Sequence, residues 1–449
     1  MTRDGSAGLG TRFARLWAAS TLSALGSGLA TVAAPLFVAS RSDDPLVVAA
    51  ASAVAWLPWL LFALPGGVLV DRVDRRRLMI IIDLVRVAAL AVLALAIITD
   101  RAGVALLYAV LFVVNTGEIV FRSASQAVLP AVVPRERLER ANGWLGGGTT
   151  LMQGMLAGPL GGFLFVLAAG SPFLVNAVTY ALSAVLVALI GGDFRASTTT
   201  ADGDARQSRS VWAEIVEGFR WLLGQRLLRT MSVLIGLLNV TLTAALAVLV
   251  LLAHERLGLG SVGYGLLFTC LAAGGVLGAL VGDRLIARLT ATWTVRVGLL
   301  IEAGLHLALA ASRSAAVVGF ALFAFGVHGA LWNIVANSLR QRLTPPALQG
   351  RVASTTFFVA AGGNCAGALL GGVLAARFGI TAPYWVGLAV AIGVSAATWR
   401  VFNRAAVASA YAEPAPASAP APGLGAASGS GPGAASGAAS GEQRAARVD

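Results

Sequence analysis

Apolar residues in this chain neither alternate with polar ones nor form single stripes on otherwise polar segments. They fill long runs. Twelve such runs, bounded by charge, Pro or Gly, stand at about 13–39, 46–70, 78–99, 103–128, 143–168, 171–191, 228–253, 263–286, 293–312, 315–341, 351–376 and 381–402. A helix crosses the hydrocarbon layer in about 20 residues, and each run reaches roughly that length. Backbone groups in lipid must hydrogen-bond one another, so such runs are predicted to be helices. A barrel would show short alternating segments, and there are none. The predicted fold class is an all-α integral membrane protein with twelve transmembrane helices.

Composition agrees. Of the 449 residues, 57% are hydrophobic and 12% charged, whereas soluble domains run nearer 45–50% and about 25%. A soluble enzyme, a disordered chain and a nucleic-acid-binding protein are thereby excluded. The formal net charge is +12, and all 33 basic residues are Arg. Their placement carries more than their number. With the N-terminus inside, 26 fall on the cytoplasmic side, 5 outside (Arg41, Arg101, Arg256, Arg313 and Arg377) and 2, Arg86 and Arg122, within helices. Anionic lipid and an interior-negative potential favour that bias. The expectation is a multi-pass protein of the cell membrane with both termini cytoplasmic. Cys270 and Cys365 lie in apolar runs and read as small buried hydrophobes, not as a disulfide or metal pair. The first run lacks a cleavage signal and is expected to remain as an anchor.

The chain divides into a cytoplasmic N-terminus at 1–12, a six-helix bundle at 13–191, a cytoplasmic central loop at 192–227, a second bundle at 228–403 and a tail at 404–449. Within the central loop, Trp212, Ile215, Val216, Phe219, Leu222 and Leu223 recur at helical spacing, which predicts an amphipathic helix on the inner surface. The Ala-, Pro-, Gly- and Ser-rich tail is expected to be disordered. Asp71-Arg72 is echoed by Asp283-Arg284 after 212 positions, and the Pro134–Arg140 stretch by Pro345–Arg351 after 211. A shared offset points to a duplicated six-helix unit, so the two bundles are expected to be pseudo-symmetric.

The loop after the second run reads Gly67-Val68-Leu69-Val70-Asp71-Arg72-Val73-Asp74-Arg75-Arg76. It resembles the signature of the major facilitator superfamily, with Asp74 where the signature usually has Gly. The Gln126–Pro134 stretch continuing to Asn142, the run Glu217-Gly218-Phe219-Arg220-Trp221-Leu222, and Gly350-Arg351-Val352 are similar to the macrolide-efflux and enterobactin-exporter branch of drug:proton antiporters. The resemblance implies alternating access between two bundles, with helices one, four, seven and ten lining a central cavity and three, six, nine and twelve peripheral. It also implies a conformational latch at the signature loop: Gly67, Asp71, Arg72, Arg75 and Arg76, joined by Asp83 and Arg86 and by Arg351 across the interface. For Arg351, ordinary positive-inside placement is an equal reading. Helix one has Gly26-Ser27 where this branch usually carries an acid after the Gly.

In helix five, Gly154, Gly158, Pro159 and Gly162 look like an antiporter-associated element. Close helix packing by small residues explains the same pattern. Charges deep in a helix are costly and are functional candidates by default. On that ground Glu118 and Arg122, one turn apart on helix four, are expected to form a proton-exchanging pair; a permanent neutral pair is the alternative. Glu302, with His306 one turn away on helix nine, is expected to support coupling. Asn115, Asn239, His328, Trp332, Asn333 and Asn337 are candidates to line a substrate cavity suited to an amphipathic molecule, although each Asn could instead bond between helices. No catalytic or metal constellation is found. Without any Lys there is no nucleotide-binding lysine, so no cofactor is expected and a proton gradient is the expected energy source. The expected partners are a small-molecule substrate and the bilayer, with the chain a monomer. The sequence thus predicts a proton-coupled exporter of small amphipathic molecules such as drugs, siderophores or secondary metabolites. An importer on the same scaffold and a non-transporting sensor are the alternatives.

Overall fold

The computed structural model describes residues 9–192, 194, 219–345 and 348–399, and side chains within these except at 63–69, 71, 72 and 291. The tail, and the amphipathic segment before residue 219, lie outside the described residues. So do the side chains of Gly67, Asp71 and Arg72. The described residues are helical, without strands. Twelve membrane helices follow in order: α1 (Thr11–Ala39), α2 (Pro45–Arg72), α3 (Arg75–Ile98), α4 (Val104–Val132), α5 (Arg135–Leu167), α6 (Ser171–Ala188), α7 (Arg226–Ala247), α8 (Ser261–Thr290), α9 (Thr292–Ala311), α10 (Ala315–Leu343), α11 (Gln349–Phe378) and α12 (Ala382–Thr398). Eleven are long and apolar enough to cross a membrane, and α12 is a shorter apolar helix.

Local chemistry sets their ends. Asp44 caps α2, its Oδ1 accepting from the Leu46 amide at 2.8 Å, with Pro45 in the first turn. Asp74 caps α3 in the same way, accepting from the Arg77 amide at 3.0 Å. The acid that stands in place of the signature's Gly is therefore a cap. Gly379, at φ 90°, ends α11. Thr290, at φ 66° and ψ 155°, turns α8 into α9 with almost no loop. Helices α4 and α10 are both 29 residues long with bounds 211 positions apart, the offset seen in the sequence.

Leu84, Leu95, Ile98, Val166, Leu280, Phe320 and Phe378 are large apolar side chains on the outer surface, which suits a solvent of lipid tails. Inside, the two ends of the molecule differ. At one end a single core joins Phe37, Leu93, Leu111 and Phe173 of the first bundle to Val250, Leu267, Leu309, Leu322 and Tyr384 of the second. At the arginine-rich end each bundle keeps its own core, Leu16, Met79, Phe121 and Val128 in one and Met231, Val295, Val335 and Leu339 in the other. The bundles are sealed together at one end and parted at the other, and the space between them opens to the arginine-rich side.

Candidate functional site: a buried charge cluster beside a central cavity

At mid-height in the first bundle, four helices bring polar groups to one point. From α3, Arg86 is fully buried and reaches Asp83 of its own helix at 3.2 Å and Glu118 of α4 at 2.6 Å. Its guanidinium also donates to Ser23 Oγ of α1 at 3.1 Å and, through Nε, to the Val114 carbonyl of α4 at 3.3 Å. The Tyr180 ring of α6 lies under it at 4.4 Å. Ser27 Oγ donates to Glu118 Oε2 at 2.9 Å and lies 3.0 Å from Tyr180 Oη.

Two glycines make this convergence possible. A Cβ at Gly117 would sit 2.7 Å from Arg86 Nε, so only a bare backbone lets the guanidinium pass α4. A Cβ at Gly26 would overlap the Asn176 side chain, so Gly26 lets α1 approach α6 and carries Ser27 to Tyr180. The cluster holds two carboxyl groups and one guanidinium. Asp83 and Arg86 are sealed from solvent, whereas Glu118 is 17% exposed and borders the cavity. One added proton would make the cluster neutral, and Glu118 is the carboxyl that water can reach.

This arrangement corrects two expectations. The partner of Glu118 is Arg86, not Arg122, because α3 packs directly on α4 and Gly117 opens the way. Arg122 is exposed in the cavity and makes no ion pair among the described residues. Asp83 and Arg86 do not join the signature loop either; Arg86 lies about 16 Å along α3 from Arg75. Helix three is thus not peripheral to the site. Of the remaining loop residues, Arg76 donates to the last carbonyls of α6, Val187 at 3.3 Å and Ala188, and Arg15 donates to Leu189. These guanidinium groups cap a helix C-terminus. Arg75 begins α3 and Arg351 lies in the first turn of α11.

Three adjoining cavities of about 730, 380 and 290 Å³ share lining residues; the largest lies between the bundles, and the smallest is lined by the first bundle alone. Arg122 borders all three, and Trp59 and Phe357, rings 6.0 Å apart, border the larger two. Asn239, Trp332, Asn333 and Asn337 line the largest and Asn115 the second. Asn115 and Asn333 donate to carbonyls of their own helices, Leu111 at 2.8 Å and Gly329 at 3.0 Å. His328 is corrected: it is buried against the Gly298 backbone of α9, with Phe325 and Trp332 beside it, and does not line the cavity. Sequence reasoning also missed Trp59, Gln126, Arg340 and Phe357, all cavity-lining. Glu302 and His306 are buried inside the second bundle, with His306 Nδ1 2.9 Å from the Glu302 carbonyl and 3.9 Å from its carboxylate, its ring packed on Gly387 of α12. Neither borders the cavity.

The glycines of α5 form the seam between bundles. A Cβ at Gly158 would overlap the Gly265 carbonyl of α8, and one at Gly162 the Ser261 carbonyl. Pro159 has no N–H to offer the carbonyl four residues back, Met155, and Thr269 Oγ1 of α8 donates to that oxygen at 3.1 Å. A π-helical turn, Thr150–Leu156, precedes it. Gly158→Val is expected to destabilise the purified protein by about 2 kcal/mol, since backbone on the facing helix cannot give way; thermal unfolding would register this as a lower midpoint.

Similarity to known proteins agrees with this architecture. The chain matches the family model for the transmembrane secretion effectors over residues 9–425. It is 28% identical to the multidrug efflux pump Tap of Mycolicibacterium fortuitum, over 82% of this chain and 90% of that protein. A shorter match, 32% identical over 133 residues, covers 30% of this chain and 33% of macrolide efflux protein A from Streptococcus pyogenes. Among solved structures, a bacterial homologue of the iron transporter ferroportin in the inward-facing state aligns with TM-score 0.65 at 16% identity, covering 88% of this chain and 99% of that one. The nucleoside transporter NupG aligns with TM-score 0.64 at 13% identity, covering 87% and 98%. A chain of two six-helix bundles, parted at one end around a central cavity and matched almost end to end by the secretion-effector model, belongs to the transmembrane secretion effector family of the major facilitator superfamily.

Proposed function

We propose that this transporter is a proton-coupled exporter of small amphipathic molecules, working by alternating access with the arginine-rich end and both termini in the cytoplasm. The carrying observation is that one carboxyl among the described residues, Glu118, belongs at once to a buried charge cluster and to the wall of a cavity beside it. With Glu118 ionised, the cluster holds two negative charges against one positive. With Glu118 protonated, Asp83 and Arg86 remain as a neutral pair. Arg86 takes the counter-ion part expected of Arg122, and Glu302 acts as support within the second bundle. The conformation open to the arginine-rich side is the one that would load cargo from the cytoplasm. The efflux names of the relatives favour export over uptake.

The test is extrusion of a panel of anionic, neutral and cationic fluorescent amphipaths from a pump-deficient host. Expression of this chain is expected to lower retention of at least one dye, and a protonophore is expected to abolish that effect. Unchanged retention of every dye, or extrusion that survives the protonophore, would overturn the proposal. His328→Asn is expected to leave the dye preference unchanged, since the imidazole lies outside the cavity.

A further inference from the structure

We propose that the cargo is an amphipathic anion, drawn in at Arg340 and held in the cavity by Arg122. The inference rests on the cavity being the cargo site of the exporter proposed above, and it names the chemical class that the site takes.

The largest cavity contains two guanidinium groups, Arg122 from α4 and Arg340 from α10, and no carboxylate borders it among the described residues. Glu118 borders the adjoining parts, but its Oε2 is already engaged by Arg86 and Ser27. Arg122, one turn from Glu118 on α4, makes no ion pair among the described residues and faces the space. The two arginines sit at different depths. Arg340 lies three residues from the end of α10, about 5 Å from the mouth, whereas Arg122 lies ten residues from the end of α4, about 15 Å in. A basic residue at a helix end is ordinary membrane topology. One at mid-depth is not, and it persists only where it meets water or an anion.

Trp59, Trp332 and Phe357 line the same cavity as the two arginines and offer flat apolar surfaces for the rest of the molecule. Asn337 orients Arg340 by accepting from its Nη2 at 2.7 Å. A cavity of about 730 Å³ with aromatic walls and two cationic donors thus suits a carboxylate or sulfonate attached to an apolar body, and disfavours a cation. With the proposed orientation, an anion leaving and a proton entering both run down an interior-negative potential.

The experiment uses the full-length protein in nanodiscs and three probes with one ring system: 4-(1-pyrenyl)butanoate, its methyl ester, and the corresponding pyrenylbutyl trimethylammonium. Energy transfer from the cavity tryptophans to pyrene reads binding. The anion is expected to bind about tenfold more tightly than the ester, and the cation most weakly. Arg122→Gln should erase the anion's advantage while the ester's affinity stays, which also shows that the variant is folded. Arg340→Gln should act mainly on the association rate and its salt dependence. Equal or weaker binding of the anion relative to the ester, binding of none of the probes, or an Arg122→Gln loss shared equally by anion and ester would overturn the proposal. Reconstituted transport separates this from the exporter reading. Gradient-driven export of the cation alone would sink the anion inference and keep the exporter. Arginine-dependent anion binding without any driven movement would do the reverse.

Discussion

Glu118→Gln is expected to reduce uphill, proton-driven export to the level of vesicles lacking the protein, while cargo still equilibrates down its own gradient. The amide keeps an oxygen for Ser27 and for the Arg86 guanidinium, so the four-helix junction should hold its shape. What it loses is the ability to take up and release a proton. Asp83 and Arg86 are sealed from solvent, so Glu118 is the carboxyl of the cluster that borders the cavity. The variant should resemble the protonated state fixed in place, exchanging cargo without coupling. Glu118→Asp should be intermediate, since a shorter arm must stretch to meet Arg86 across a contact now 2.6 Å long. Comparing driven uptake with cargo counterflow in the same vesicles checks the split. Loss of both would mark a merely structural carboxyl, and retention of driven export would remove Glu118 from the mechanism.

The largest stability effect is expected at Arg86. Arg86→Gln leaves Asp83 and Glu118 without their shared counter-ion and also removes the contacts to Ser23, the Val114 carbonyl and the Tyr180 ring. Breaking a buried ion pair by deleting one partner costs about 3–5 kcal/mol. Combining it with Asp83→Asn and Glu118→Gln removes the uncompensated charges, and this triple variant should recover most of the loss. Thermal unfolding of the three purified proteins checks the order: wild type, then the triple variant, then Arg86→Gln well below. Equal midpoints for wild type and Arg86→Gln would show that the cluster is not held by its guanidinium.

The helices were legible in the sequence because lipid imposes a single rule on the backbone. The run at 103–128 became Val104–Val132, and that at 315–341 became Ala315–Leu343. The larger miss was the start of α5, at Arg135 and not near 143, where Arg, Glu and Asn in its first turns hide a helix outside the apolar zone. The site was legible only in part. Glu118 stands out as an acid in an apolar run, but spacing along one helix names only neighbours one turn away and so suggested Arg122. The true partner comes from α3 through a gap that Gly117 leaves. A glycine beside a buried acid was the available signal, and it reads as packing until the neighbouring helix is placed. His328 failed for the mirror reason: Gly298 on α9 offers a slot that draws the imidazole away from the cavity. The pattern around Pro159 fits an export element and close helix packing equally in the sequence; the bond from Thr269 to the Met155 carbonyl, which the missing N–H of Pro159 leaves open, is seen only once α8 is placed.

The account turns on protons moving against cargo at one cavity-facing carboxyl. Vesicles loaded with a pH indicator and supplied with a transported dye test this most directly, with dye flux and internal pH followed together. Wild-type protein is predicted to move protons opposite to the dye whenever the dye moves, and the Glu118→Gln protein to move dye with no change in pH. Dye movement by the wild type at an undisturbed internal pH would contradict the account.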